Sequence, residues 1–388
     1  MPTKRKKYYM LGDKSLHIET TQINDGNNKK KKFISLFSGA MGLDLGLEMS
    51  GFELVGCLEI DKWACETIRK NRPDLPLIQD DIKNWDGDSL LSNFNVSPEE
   101  ICLVVGGPPC PSFSTAGRRR SFDDPRGQLM FDFLRIINEI SPSFFVMENV
   151  PGILSASLKH RPLDLRSREY GDLSEEELNG SVMKLLDDKF KEIGYLVTAE
   201  LVNSADYGVP QKRERVIFIG NKYGYQVSMP PGFCSNNGNM FHKPWTTLGD
   251  VINDLENDEH EFIAFSDTRL KYLKWLNEGE NWRKLPKELQ KEAMGGAYLS
   301  GGGKVGFYRR LSFDKPSPTL PTSPVQKSTC LCHPKELRPL SVNEYKRIQQ
   351  FPEDWEFVGS TSNKYKQIGN AVPVGLAAVI GETISKFI

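Results

Sequence analysis

No stretch of apolar residues in this sequence approaches the length that a bilayer demands of a helix, so no membrane span is expected. Surplus charge is missing too. Lys+Arg 50 against Asp+Glu 51 leaves a net charge of -1, and any nucleic-acid partner must therefore be met by a local basic face. Seven cysteines, an odd number without framework spacing, and the lack of an amino-terminal signal peptide point to free thiols in a reducing cytoplasm. Cys330-Leu331-Cys332-His333 offers three ligands without a second pair at a usual spacing, so no metal is expected. What is present is bulk: 388 residues with 38% hydrophobic content are enough for two domains with sizeable cores.

The chain is organised around Gly106-Gly107-Pro108-Pro109-Cys110-Pro111-Ser112-Phe113-Ser114, directly after the apolar run Ile101 to Val105. Such a run reads as a buried parallel strand, and the glycines and prolines forbid the backbone to continue as helix or ladder. Cys110 then stands at a strand's carboxyl end, where open α/β sheets bind their ligands. A buried thiol beside a proline turn is the alternative reading.

Residues 1–32 are polar, with Lys4 to Lys7 and Lys29 to Lys32, and read as a mobile basic arm. The fold starts with the strand Phe33 to Phe37. It runs into Ser38-Gly39-Ala40-Met41-Gly42, whose glycines open a helix and whose N–H groups suit an anion. The spacing lacks the Gly-x-Gly-x-x-Gly of dinucleotide binders, which favours a carboxylate over a pyrophosphate. A second strand ends in Glu59-Ile60-Asp61, about 20 residues after the turn, where an acid takes ribose hydroxyls. Asp80-Asp81-Ile82 ends a third and suits an adenine edge and face.

Ser114 to Arg126, with Arg118-Arg119-Arg120, is too basic for a core; it reads either as a loop closing over a phosphate backbone or as an ordinary solvated loop. Leu129, Phe133, Leu134 and Ile137 have helical spacing. The strand Phe144 to Met147 delivers Glu148-Asn149-Val150 to the same edge as Cys110. Gln211-Lys212-Arg213-Glu214-Arg215 sets two arginines on one face of an extended segment, suited to a phosphate or base, or else to surface pairing with Glu214. From about residue 222 the βαβ rhythm stops. An irregular domain is expected over 222–340, before a helix-like Ser341 to Phe351, a Gly369-Asn370-Ala371-Val372-Pro373 turn and a last amphipathic helix that must return to the first domain.

In this order and over nearly the whole chain from Phe33, these elements resemble the DNA cytosine-5 methyltransferases of bacterial restriction–modification systems. The resemblance rests on the Phe37 to Gly42 turn, Pro109-Cys110, Glu148-Asn149-Val150, Gln211-x-Arg213-x-Arg215 and Gly369 to Pro373. It implies a doubly wound, Rossmann-like S-adenosylmethionine domain of residues 33–221 and 341–388, with a smaller irregular target-recognition domain over 222–340. Phe37, Gly39, Gly42, Glu59, Ile60, Asp81, Ile82, Pro109, Leu129, Asn370 and Val372 would form the pocket for S-adenosylmethionine, which leaves as S-adenosylhomocysteine.

By the same resemblance Cys110 adds to C6 of a flipped-out cytosine, Glu148 holds and protonates the N3 edge, Arg215 binds O2 and Arg213 a phosphate. Ser114, Arg118, Arg119, Arg120 and Gln211 would contact DNA. The implied partner is double-stranded DNA, bound by a monomer without membrane attachment, with a restriction endonuclease acting on the same site without stable association. The rival expectations are a transfer-RNA cytosine-5 methyltransferase, whose Cys-Phe-Thr signature is absent here, and a non-catalytic DNA-binding protein, which would need no nucleophile.

Overall fold

The computed structural model describes residues 8–11, 31–109, 127–159, 161, 171–256, 258–301 and 304–388. Its centre is an eight-stranded sheet. The strands are β1 (Tyr8–Leu11), β2 (Lys31–Leu36), β3 (Phe52–Glu59), β4 (Leu77–Gln79), β5 (Ile101–Gly106), β6 (Phe144–Asn149), β7 (Leu196–Asn203) and β9 (Glu214–Asn221), while β8 (Gln211–Lys212) lies outside it. Their spatial order is β1-β7-β9-β6-β5-β2-β3-β4. β2 pairs in parallel with both β3 and β5, so the chain runs outward to β4 and then returns across β2 to β5. That reversal opens a crevice at the carboxyl ends of β2 and β5, where α/β folds bind ligands.

The apolar runs are continuous because both sheet faces are covered. Phe33, Leu103, Val105, Phe144, Val146, Ile217 and Ile219 enter one core. Ile34, Leu36, Val104, Phe145, Met147, Val216 and Phe218 enter the other. The second core is closed by helices α3 (Gly87–Asn93), α4 (Leu129–Ile140) and α5 (Ser181–Glu192). The first is closed by α1 (Gly42–Met49), while α2 (Lys62–Asn71) runs on the β4 side.

The carboxyl-terminal segment does return to this first core. Ser341 caps a helix reciprocally with Glu344, a capping box legible in the sequence. Of the helices after residue 222, α6 (Gly249–Ile252) joins the first core, whereas α7 (Asp267–Leu273) and α8 (Lys287–Met294) build a small core around Leu273, Leu276 and Met294. Cys330 and Cys332 are buried in the small core, yet Val227, Met229, Leu248, Leu311, Leu320 and Leu340 belong to the large one. The separately packed part is therefore narrower than 222–340. Two further differences concern the amino-terminal arm: Tyr8–Leu11 pairs antiparallel with β7, and β2 already begins at Lys31.

The final helices are α9 (Val342–Ile348), α10 (Thr361–Asn370) and α11 (Val374–Ser385). The stretch Thr361–Ser385 is long and apolar enough to cross a bilayer by length and composition alone, but 67% of its most apolar window is buried within the protein. Helix α11 packs directly on α1, and Gly46 makes the approach possible. A Cβ there would lie 2.4 Å from both Val374 O and Ala377 Cβ, with Ala378 N at 2.6 Å. Since backbone atoms cannot step aside as a side chain can, Gly46→Ala is expected to cost about 3 kcal/mol of stability. Urea denaturation checks this, and an unchanged midpoint would contradict the packing.

Candidate active site

The crevice is an open cavity of about 670 Å³, within the range of small-molecule sites. Phe37, Gly39, Gly42, Glu59, Ile60, Asp81, Ile82, Pro109, Leu129, Asn370 and Val372 all line it, together with Glu148, Arg213 and Arg215. Cys110, which follows Pro109 in the chain, lies outside the described residues, as do Ser114, Arg118, Arg119 and Arg120.

The turn after β2 is built from unusual backbone. Phe37, Gly39 and Met41 have φ of 56°, 53° and 68°, and two of the three are non-glycine residues held in the left-handed region, where strain is tolerated mainly at functional sites. Glu59 fastens this turn: its Oε2 accepts from Gly39 N at 2.7 Å, while Oε1 accepts from Ile60 N at 2.8 Å and Asp61 N at 2.7 Å. The anion held at the turn is thus the chain's own carboxylate. Burial raises the Glu59 carboxyl above the usual range, and these N–H groups pull it back. A carboxylate has about four acceptor positions, so one remains for a hydroxyl.

The two acids after β4 divide the work. Asp80 accepts from Asp81 N, Asn84 Nδ2 and Trp85 Nε1, whereas the Asp81 side chain, among the described residues, accepts only from Lys83 N, leaving acceptor capacity toward the cavity. Ile60 is apolar yet 60% exposed, a free face for a flat ring. Opposite, a Cβ on Gly42 would fall 2.2 Å from Val372 O. This glycine lets α1 touch the Asn370–Val372 wall. An adenosyl group with a charged amino-acid tail fits these residues: acceptors for hydroxyls and an amine, apolar faces for the base.

On the β5–β6–β9 side, Arg215 Nε lies 2.6 Å from Glu148 Oε1, both side chains being 12% exposed. The contact is an ion pair without hydrogen-bond alignment, so Glu148 Oε1 is a buried acceptor that lacks an aligned donor among the described residues. Asn149, whose role the sequence did not reveal, donates from Nδ2 to Pro108 O at 3.4 Å and ties the end of β6 to the Pro108–Pro109 turn.

Two expectations are corrected here. Gln211, expected at DNA, is fully buried; its Nε2 donates to Gln349 Oε1 at 2.7 Å and its Oε1 accepts from Leu320 N at 2.9 Å. Arg213, expected at a phosphate, is 1% exposed and donates to Gly369 O at 3.0 Å and Asn370 O at 3.4 Å. Alternation explains both: Gln211, Arg213 and Arg215 share the inward face, and Lys212 and Glu214 point out. Burial and the neighbouring Arg215 disfavour the Arg213 charge while Glu148 supports it, and an arginine keeps its proton.

Beneath the turn sits Asp44, fully buried with no aligned hydrogen bond to either carboxyl oxygen. Burial pushes its carboxyl up to about 7; the nearby Ser35 hydroxyl and Arg72 oppose the shift, Glu48 adds to it, and Cys57 faces the same point. Between the ordinary carboxylate value and about 7 the folded protein keeps a proton that the unfolded chain has lost, so stability falls as pH rises through that window and levels off above it. Asp44→Asn should therefore be more stable than wild type at pH 8 by on the order of 2–3 kcal/mol beyond any difference at pH 5. Equal pH slopes in chemical denaturation would contradict this.

Residues 31–386 match the family model for C-5 cytosine-specific DNA methylase. The chain is 38% identical over 373 residues to the Type II methyltransferase M.PspPI of Psychrobacter sp., covering 93% of this chain and 80% of that one. It is 37% identical to M.Sau96I of Staphylococcus aureus, covering 94% and 78%. A crystal structure described as a prophage-encoded DNA modification methyltransferase of E. coli shares the fold, with a TM-score of 0.61 at 24% identity over 92% of this chain and 99% of that one. A family match over nearly the full length, on a crevice lined in this way, means that the chain belongs to the C-5 cytosine-specific DNA methylase family and is a DNA (cytosine-5)-methyltransferase.

Proposed function

We propose that the enzyme methylates C5 of a cytosine flipped out of a specific sequence in double-stranded DNA, using Cys110 as nucleophile, and that it protects cytoplasmic host DNA within a restriction–modification system. The observation that carries this reading is the Glu148–Arg215 pair in the crevice, beside the Pro108–Pro109 turn that leads into Cys110. Cytosine C5 is too weak a nucleophile to be methylated directly. Addition of the Cys110 thiolate to C6 turns the ring into an enamine, with Glu148 holding the N3 and amino edge and supplying the N3 proton. Arg215 orients Glu148 and reaches O2. Loss of the C5 proton after methylation expels the thiolate and restores the ring.

S-adenosylmethionine, when bound, supplies the electrophilic methyl group. Glu59 and Asp81 would hold its ribose and adenine edge, and the Asn370–Val372 wall would close the pocket. Flipping costs a few kcal/mol, recovered by contacts in the pocket and by phosphate contacts from Arg118, Arg119 and Arg120. Sequence choice falls to the irregular part of residues 222–340. The test is tritium transfer from labelled S-adenosylmethionine: duplex DNA should be labelled and transfer RNA not. Label on transfer RNA alone would establish the RNA reading; label on neither would leave a binding protein.

A further inference from the structure

We infer that Gln349, the residue capping the end of α9, is a positioning residue for the pocket wall formed by Gly369, Asn370, Ala371 and Val372. The inference rests on reading the crevice as the cofactor site. Gln349 is fully buried and is not among the residues lining the cavity, so it acts through the turn it holds.

A helix leaves its last carbonyls without intrahelical partners. At the end of α10 four successive carbonyls are taken by two buried side chains. Gln349 Nε2 donates to Ile368 O at 2.7 Å and to Ala371 O at 2.9 Å, while Arg213 takes the intervening Gly369 O and Asn370 O. The amide grips the turn by both shoulders and leaves the Asn370 side chain exposed at the cavity. The main-chain oxygen of Gln349 also accepts from Val374 N at 3.1 Å, fixing the start of α11.

The amide's orientation is determined. Its oxygen accepts from Gln211 Nε2 at 2.7 Å, and Gln211 is in turn fixed by Leu320 N at 2.9 Å. Reversing Gln349 would set its oxygen against two carbonyl oxygens, so donors and acceptor are all committed. On the outer side the wall is stopped by α1, at the point where Gly42 meets Val372 O. Three elements remote in sequence therefore set where Asn370 and Val372 stand. An apolar side chain at 349 would leave the buried Ala371 carbonyl and the Gln211 amide unsatisfied and Ile368 O with only the 3.3 Å bond from Ala371 N, and the turn would relax to find partners.

The experiment measures S-adenosylhomocysteine binding by calorimetry, which needs no turnover, for wild type, Gln349→Met and Gln211→Met, with melting temperatures and the KM for S-adenosylmethionine and for DNA. Gln349→Met is expected to bind S-adenosylhomocysteine about tenfold more weakly and to raise the cofactor KM in step, with the DNA KM within about twofold. Gln211→Met, which keeps the two donations but frees the amide, should weaken binding about threefold. A folded Gln349→Met with a lower melting temperature but unchanged affinity would show a purely structural role and overturn the inference. If that variant fails to fold, unchanged affinity in Gln211→Met overturns it equally. A wild-type protein that does not bind S-adenosylhomocysteine would remove the cofactor reading itself.

Discussion

Cys110→Ser is expected to lower methyl transfer by on the order of 10⁴-fold or more while leaving DNA and cofactor binding within a few-fold of wild type. A thiol is a few per cent ionised near neutrality and is strongly nucleophilic in that form; a serine hydroxyl is neither. The motif holds no histidine to act as its base. Cationic groups such as Arg215 can raise the thiolate fraction, but they cannot do the same for an alcohol whose pKa is far higher. Substitution of one chalcogen atom leaves the Pro108–Pro109 turn and the Asn149 tether as they are. Single-turnover methylation and a DNA-binding isotherm on the same preparation separate chemistry from binding. Turnover by the serine variant near the wild-type rate would remove Cys110 from the mechanism.

Glu148→Gln should reduce kcat by about 10²–10³-fold, the usual consequence of losing one preorganised polar group at a reacting centre. The substitution keeps volume and leaves an amide oxygen, but it removes the charge that pairs with Arg215 at 2.6 Å and the carboxyl group proposed to hold and protonate N3. The two groups act as a unit, so their losses should not add: Glu148→Gln with Arg215→Met should be little slower than the slower single variant. Additive losses in the four-member cycle would mean that the two residues serve separate steps. KM for S-adenosylmethionine should stay near wild type in all four, since the cofactor-side acids Glu59 and Asp81 are untouched.

Local sequence was enough for the strands, the carboxyl-edge placement of Glu148 and the strand-end acids Glu59 and Asp81, because each follows from a period or a strand end, whereas Phe37 and Asn370 entered the pocket through the family resemblance. It was not enough for Gln211 and Arg213. Alternation put Arg213 on one face with Arg215, but what that face and the neighbouring Gln211 meet is supplied by Leu320, Gln349 and Gly369, more than 100 residues along the chain. An inward polar face looks the same in sequence whether it meets DNA or a helix end. The missing Cβ atoms of Gly42 and Gly46 serve a purpose no local pattern shows, the contact between α1 and the Val372–Ala378 segment. The extent of the small core around Leu273 and Met294 was not legible because composition changes at residue 222 while packing does not. Asp44 and Gln349 carried no local signal at all, since burial without an aligned partner and a staple across a turn both exist only in the folded chain.

The covalent step can be observed directly. Duplex DNA carrying 5-fluorocytosine at the methylated position, incubated with the enzyme and S-adenosylmethionine, should yield a denaturation-resistant protein–DNA complex, because fluorine cannot leave C5 as a proton and the thiolate is never expelled. Peptide mapping should place the adduct on Cys110. Active enzyme that forms no such complex, or one whose adduct maps to another residue, would contradict the account.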